Sequence, residues 1–194
     1  MPKQSNNILI FLRHAETALE KGRAVSKWLL STKGKEQAKT IAQQAFFQTV
    51  DKIYSSPEQK AYQTALPLAT AINKKIHKRE GLNELNRDKG GYLKSKEAYQ
   101  QKVKECFTNP CSSINNWEKA SDALERFEQA INLIDRRDHN KRILIVSHGL
   151  VSSLYFAKLV QQLDQVYERW LSTSFCGYGI VQNDTIIKDI ARTF

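Results

Sequence analysis

Short apolar segments alternate with longer stretches of helical periodicity along the chain, and this alternation restricts the fold more than any other feature of the sequence. Strands are predicted at Ile8 to Leu12, Lys52 to Ser55, Lys75 to Lys78, Arg142 to Ser147, Gly177 to Gln182 and Thr185 to Ile190. Strands that alternate with helices are typical of α/β folds. We therefore predict a three-layer αβα sandwich with a mostly parallel sheet. The last two strands flank Gln-Asn-Asp, a turn signal, and should pair as a hairpin.

The helical stretches show apolar residues at spacings that keep one face inward. The first is predicted over Lys33 to Phe47, with Ser31 or Thr32 near its start. Further helices are predicted to begin near Ser121 and after Gly149. These helices should cover the two faces of the sheet.

The helix after the second strand carries the sharpest local signals. Ser56 can cap its N-terminus, Pro57 suits the first helical position, and Gln59 completes a capping box. Pro67 should kink this helix or divide it. We therefore assign these residues to structure rather than to chemistry.

Length, charge and cysteine content limit the class of protein. The 194 residues suit one domain, which we place over residues 1–194, with one hydrophobic core. The net charge of +10 comes from basic residues scattered over the chain, without a nucleic-acid-binding signature, so we interpret it as attraction for anionic small molecules. Three cysteines without a CxxC pair argue against a disulfide framework or a zinc site. No membrane span or secretory signal is evident, so we expect a cytoplasmic protein.

Two of the predicted strands end on histidines. The first ends in Arg13 and His14, and Arg142 to Ser147 is followed by His148 and Gly149. In an open α/β sheet, ligands bind beyond the carboxyl ends of the strands, where helix N-termini also attract anions. If these strands are parallel neighbours, the two histidines should face each other across a small cationic pocket. Lys60, about one turn into the next helix, could join them, and a phosphoryl group is the natural guest.

These residues lie in motifs that resemble those of the histidine phosphatase superfamily, which includes cofactor-dependent phosphoglycerate mutases and small phosphatases. LRHAET resembles the family's Arg-His-Gly-Glu-Thr signature, and VSHG its second-histidine motif. LSTKGKEQA, YSSPEQKAYQTA and GLNEL resemble the three elements between them. The order and intervals agree over nearly the whole chain, so we identify a phosphoglycerate mutase-like fold of the small phosphatase branch.

The resemblance implies a metal-independent phosphatase of the histidine acid type, which needs no cofactor. His14 matches the nucleophile that forms a phosphohistidine, and Glu84 matches the proton donor to the leaving oxygen. Arg13, Lys60, His148 and Gly149 match positions that bind the phosphate. Cationic neighbours such as Arg13 should lower the pKa of His14, which favours its neutral, nucleophilic form.

Three positions depart from the family pattern. Ala15 replaces a glycine, and Lys60 replaces an arginine, which removes a bidentate fork but keeps one positive charge. Glu20 stands where many members have asparagine, and its carboxylate would repel an anion unless it is turned away. We expect weaker phosphate binding from these changes.

The sequence leaves the substrate and the oligomeric state open. A variable segment over about residues 86–118 is predicted to cover the substrate, and sugar phosphates, nucleotides and phosphoproteins all remain candidates. Mutase activity is an alternative, although the chain looks short for the elaboration it needs. A non-catalytic phospho-ligand-binding regulatory domain is another, and a nucleic-acid binder ranks last.

Overall fold

A computed structural model describes residues 5–192, which contain one six-stranded mixed sheet in the order β3-β2-β4-β1-β5-β6. The strands are β1 (Ile8–Arg13), β2 (Lys52–Ser55), β3 (Ile76–Lys78), β4 (Arg142–Ser147), β5 (Tyr178–Gln182) and β6 (Thr185–Lys188). Strands β1 to β4 run parallel, whereas β5 and β6 are antiparallel to their neighbours. The six predicted strands and the mostly parallel sheet are therefore confirmed.

Helices cover both faces of this sheet. They are α1 (Thr32–Gln43), α2 (Ala45–Gln48), α3 (Gln59–Ala71), α4 (Lys96–Thr108), α5 (Ala120–Arg137), α6 (Gly149–Leu159) and α7 (Val166–Leu171). Side chains of a strand point alternately to opposite faces, so Leu9 and Phe11 of β1 pack with α4 to α7, whereas Ile10 and Leu12 pack with α1 to α3. Each such buried side chain contributes about 1.5–3 kcal/mol through the hydrophobic effect. The predicted αβα sandwich follows from this alternation.

The first predicted helix is interrupted. Ser31 caps α1 by accepting a hydrogen bond from the Gly34 N–H at 3.0 Å, as expected. The helix ends at Gln43, the backbone of Gln44 is extended, and the short α2 follows. The break allows Phe46 and Phe47 to pack against Tyr178 of β5, with ring centroids 5.3 and 5.2 Å away.

The predicted start of the next helix is wrong. Ser56 is not its cap, because α3 begins only at Gln59 and Ser56 still follows the strand, donating its N–H to the Val146 carbonyl. The Ser56 hydroxyl accepts from the Glu58 N–H and donates to the Asn83 side chain. Pro67 does not divide the helix either, since α3 continues to Ala71 with Leu68 buried beyond the proline.

The C-terminal strands form the expected hairpin. Gln182 pairs with Thr185, and Asn183 and Asp184 both have positive φ, of 48° and 59°. Two successive left-handed residues are typical of the type I′ turn, which matches the twist of a two-residue hairpin. In the part of the chain that is described, no helix is long and apolar enough to cross a membrane.

Candidate active site

The carboxyl ends of three parallel strands meet at one edge of the sheet. Arg13 pairs with Ser147 in the register of β1 and β4, and the His14 N–H donates to the Ser147 carbonyl at 2.9 Å. Because the strands are parallel neighbours, His14 and His148 come together, with ring centroids 5.1 Å apart. The structure therefore has the arrangement that the two strand ends predicted.

The orientation of the His14 ring decides which nitrogen is available. Its Nδ1 lies 2.8 Å from the carbonyl oxygen of Ala15. A carbonyl oxygen can only accept, so Nδ1 must carry the proton and donate it. In the neutral ring Nε2 is then unprotonated, and it presents a lone pair.

The surroundings of both histidines keep the rings neutral. Burial is the main cause that lowers the pKa of His14 well below its usual value. Repulsion from a protonated His148, and from the charges of Lys60 and Arg13, lowers this pKa further. The pKa of His148 is likewise far below its usual value, because of burial first and then the charges of Lys60 and Arg87. The predicted effect of cationic neighbours on His14 is confirmed, with burial as a larger cause that the sequence did not reveal.

His148 is the more enclosed of the two rings. It is fully buried, and neither ring nitrogen has a hydrogen-bond partner among residues 5–192. The nearest carboxylate oxygen, Oε1 of Glu58, lies 3.6 Å from Nε2. Buried polar atoms are nearly always hydrogen-bonded, so His148 retains hydrogen-bonding capacity that residues 5–192 do not use.

Arg13 lies beside the histidines with its guanidinium over the ring of Phe175, 4.7 Å from the ring centre. Its Nη1 donates to the Thr173 hydroxyl at 2.8 Å. Gly149 makes this position possible, because a Cβ there would lie 2.9 Å from Cζ of Arg13. The contribution of Gly149 in this structure is thus space for the guanidinium.

Lys60 lies in the pocket, as predicted, but with a partner that the sequence analysis did not identify. Its ammonium forms an ion pair with Oε2 of Glu58 at 2.6 Å and donates to the Val25 carbonyl at 2.9 Å. Both side chains are buried, with exposed fractions of 3% for Lys60 and 8% for Glu58. Part of the positive charge predicted for the phosphate is therefore neutralised by the protein itself.

Glu84 is anchored at the N-terminus of α6. Its carboxylate accepts hydrogen bonds from the N–H groups of Leu85, Leu150 and Val151, each at 3.1 Å. A carboxylate in this position also interacts favourably with the helix dipole. A proton on either oxygen would weaken the hydrogen bonds that this oxygen accepts, because they would lose the carboxylate charge.

Glu20 does not reach the pocket. Its carboxylate pairs with Arg23 at 3.2 Å on the surface, with more than a third of the side chain exposed. Glu20 is also not among the residues that line the cavity at His14. The repulsion that the sequence suggested is therefore absent in this conformation.

A cavity of about 400 Å³ opens onto Arg13, His14, Lys60 and Glu84. The rest of its wall is mainly aromatic and basic: Trp28, Arg87, Tyr92, Lys94, Lys96, Tyr99, Trp117, Trp170 and Phe175. Much of this wall belongs to the variable segment, so residues around 91–99 lie over the site. Among residues 5–192, no cluster of three or more His, Cys, Asp or Glu side chains is placed to hold a metal ion.

Comparison with known proteins agrees with this geometry. The family model described as the histidine phosphatase superfamily (branch 1) matches residues 9–183. The chain belongs to this superfamily. Phosphoserine phosphatase 1 of Hydrogenobacter thermophilus is 28% identical over 167 residues, which cover 82% of this chain and 79% of the relative.

Solved structures show the same fold. A phosphoserine phosphatase variant from Entamoeba histolytica in complex with phosphoserine is 24% identical, with a TM-score of 0.70, over 90% of this chain and 89% of that one. A mycobacterial glucosyl-3-phosphoglycerate phosphatase has 16% identity and a TM-score of 0.73, over 89% and 88% of the two chains. The histidine phosphatase fold of this chain is thus shared with enzymes that are named for different substrates.

The two neutral histidines should make the stability of this histidine phosphatase depend on pH. The unfolded chain binds protons on both rings below their usual pKa of 6.5, whereas the folded protein does not. Their contribution to stability is therefore complete above pH 6.5 and is lost as the pH falls. We expect the free energy of unfolding to decrease by up to about 2.7 kcal/mol per pH unit for the pair.

Urea unfolding at pH 7.5 and pH 5.5 measures this dependence. The His148→Gln variant lacks one of the two titrating rings and should show about half the slope. An equal slope in the wild type and in this variant would contradict the assignment of the effect to these histidines.

Proposed function

We propose that this protein hydrolyses phosphomonoesters through a phosphohistidine intermediate on His14. The observation that carries the proposal is the His14 ring, whose Nδ1 donates to the Ala15 carbonyl so that Nε2 is free to attack. The relatives named as phosphoserine and glucosyl-3-phosphoglycerate phosphatases support small phosphate esters as the substrate class.

In the first step, the Nε2 lone pair forms a bond to phosphorus while the bond from phosphorus to the ester oxygen breaks. Arg13 and Lys60 bear the positive charge nearest to the transferred group, and such charges stabilise the oxygens in the transition state. The neutral ring of His148 can donate one N–H to a phosphoryl oxygen. Phosphate binding would then satisfy a buried nitrogen that has no partner within residues 5–192.

The leaving oxygen must receive a proton in this step. Glu84 is the only acidic residue among those that line the cavity at His14, and we propose it as the donor. Protonation would weaken the backbone hydrogen bonds of the Glu84 carboxyl, and they regain their full strength when Glu84 gives up the proton.

The second step regenerates the enzyme. Water attacks phosphorus, the bond from phosphorus to Nε2 breaks, and inorganic phosphate leaves. The carboxylate of Glu84, left ionised by the first step, accepts the proton from the water. His14 and Glu84 then return to their starting states.

A turnover assay over a panel of phosphomonoesters tests this proposal, with Glu84→Gln beside the wild type. Alkyl esters such as phosphoserine need a proton on the leaving oxygen, whereas p-nitrophenyl phosphate does not. We expect Glu84→Gln to lower kcat for phosphoserine by about 10²–10⁴-fold and to affect p-nitrophenyl phosphate much less. Equal losses for both esters would remove Glu84 as the donor, and no turnover of any ester would refute the hydrolase.

Two alternatives have distinct outcomes in the same panel. A mutase would interconvert 2- and 3-phosphoglycerate faster than it releases phosphate. A non-catalytic phospho-ligand binder would bind inorganic phosphate without turning over any ester. The free Nε2 of His14 favours the hydrolase over the binder.

A further inference from the structure

Arg87 is a half-buried cation that lines the cavity and has no role in the proposed chemistry. It follows the Glu84 motif and lines the same cavity as Arg13 and His14. Its guanidinium lies over two aromatic rings, with Cζ 4.8 Å from the centre of Tyr99 and 5.6 Å from that of Trp117. Such stacking holds the plane of the guanidinium against the aromatic wall.

The hydrogen-bonding capacity of Arg87 is incompletely used. Its Nε is buried and has no hydrogen-bond partner among residues 5–192. Over the same residues, Arg87 forms no ion pair with a carboxylate, whereas Lys60 has Glu58 and Arg126 has Glu118. A guanidinium held in place without a carboxylate partner is suited to bind an anion from outside.

The charges around the cavity indicate what that anion is attached to. Arg13 and Lys60 are the cations beside His14, so they are occupied once a phosphoryl group is bound. Arg87 then remains as a third cation of the same cavity, with Lys94 and Lys96 exposed at the rim. Glu84 is the one acidic residue in this wall, so a leaving group with an uncompensated ammonium would be repelled.

We propose that Arg87 binds a second anionic group, a carboxylate or a second phosphate, carried by the leaving group of the substrate. This inference rests on the proposed phosphatase function and narrows its substrates to phosphomonoesters with two separated anionic groups. Arg87 is then a specificity-determining residue, because it contacts the part of the substrate that departs. The phosphoryl group itself is bound by the residues at the strand ends.

Non-hydrolysable phosphonates test the inference by binding alone. Propylphosphonate carries an apolar tail, 3-phosphonopropionate a carboxylate, propane-1,3-diphosphonate a second phosphonate and 3-aminopropylphosphonate an ammonium. Calorimetry should show that the wild type binds at least one of the two anionic tails about tenfold or more tightly than propylphosphonate, and the ammonium tail most weakly. The stronger of the two anionic probes identifies the group that Arg87 prefers.

Two substitutions at Arg87 and one control locate the effect. Arg87→Met keeps an apolar side chain on the rings and should abolish the preference while weakening the binding of propylphosphonate far less than that of the anionic probes. Arg87→Lys keeps the charge and should retain part of the preference. Arg142→Met is the matched control: Arg142 also lies over a ring, 5.1 Å from Phe46, and also has a buried unpartnered Nε, but it is at the opposite end of β4.

The outcomes separate the two proposals. Equal affinity of the wild type for all four phosphonates would overturn the inference and leave the phosphatase function standing. Loss of propylphosphonate binding in Arg87→Met would also overturn it, because Arg87 would then bind the phosphoryl group. Failure of the wild type to bind any phosphonate or inorganic phosphate would instead refute the proposed function.

Discussion

Replacing His14 with alanine should lower kcat for p-nitrophenyl phosphate by at least about a thousandfold, because the reaction loses its nucleophile. The 5.1 Å separation of the two ring centres does not make His148 a substitute nucleophile. In the proposed mechanism His148 donates an N–H to a phosphoryl oxygen, whereas Nε2 of His14 presents the lone pair that attacks phosphorus. The cations of the pocket remain in the variant, so it should still bind inorganic phosphate.

The matched control is His139→Ala, which removes an exposed histidine just before β4, at the end of that strand opposite His148, and should leave kcat unchanged. Rapid quenching with a ³²P-labelled ester adds a direct readout of the intermediate. The wild type should carry an acid-labile, base-stable label that maps to His14, and the variant should carry none. Turnover by His14→Ala within tenfold of the wild type would rule out the mechanism.

The meeting of Arg13, His14 and His148 was predictable because it depends on strands, which the sequence marks clearly. Buried parallel strands are short apolar runs, and their carboxyl ends share one edge of the sheet whatever the loops do. The register that pairs Arg13 with Ser147 then brings the residues that follow each strand side by side. The position of Lys60 near the start of the next helix suggested it, the family resemblance supported it, and the resemblance alone added Glu84.

Glu58 and Arg87 were not predicted, and each for a physical reason. Glu58 lies between the strand end and α3, where the pattern Ser56, Pro57, Gln59 indicates a helix cap. In the structure the strand pairing extends through Ser56, so the helix starts later and Glu58 turns toward Lys60. Arg87 belongs to a segment of weak periodicity, and its place depends on how Tyr99 and Trp117 pack.

The ion pair of Lys60 and Glu58 should carry a large energetic effect, which Lys60→Met would reveal. Removing the ammonium leaves the carboxylate of Glu58, 8% exposed, without its cation. Breaking a buried pair in this way is strongly destabilising, and we expect the free energy of unfolding to fall by about 3 kcal/mol. Urea unfolding at pH 7.5 measures the loss.

The double variant Lys60→Met with Glu58→Gln removes both charges and should recover most of that loss, because no unpaired charge remains buried. Lys158→Met is the surface control: its ion pair with Glu128 has the same length of 2.6 Å, but Lys158 is 49% exposed. Exposed pairs contribute about 0–1 kcal/mol, so this variant should be nearly as stable as the wild type.

If Lys60→Met is as stable as the wild type, the Glu58 carboxylate is solvated from the neighbouring cavity of about 600 Å³ that it lines. Lys60 would then be available to phosphate without competition from Glu58. In that case Glu58→Gln alone should leave the affinity for inorganic phosphate unchanged, whereas an intact ion pair predicts that this substitution increases the affinity.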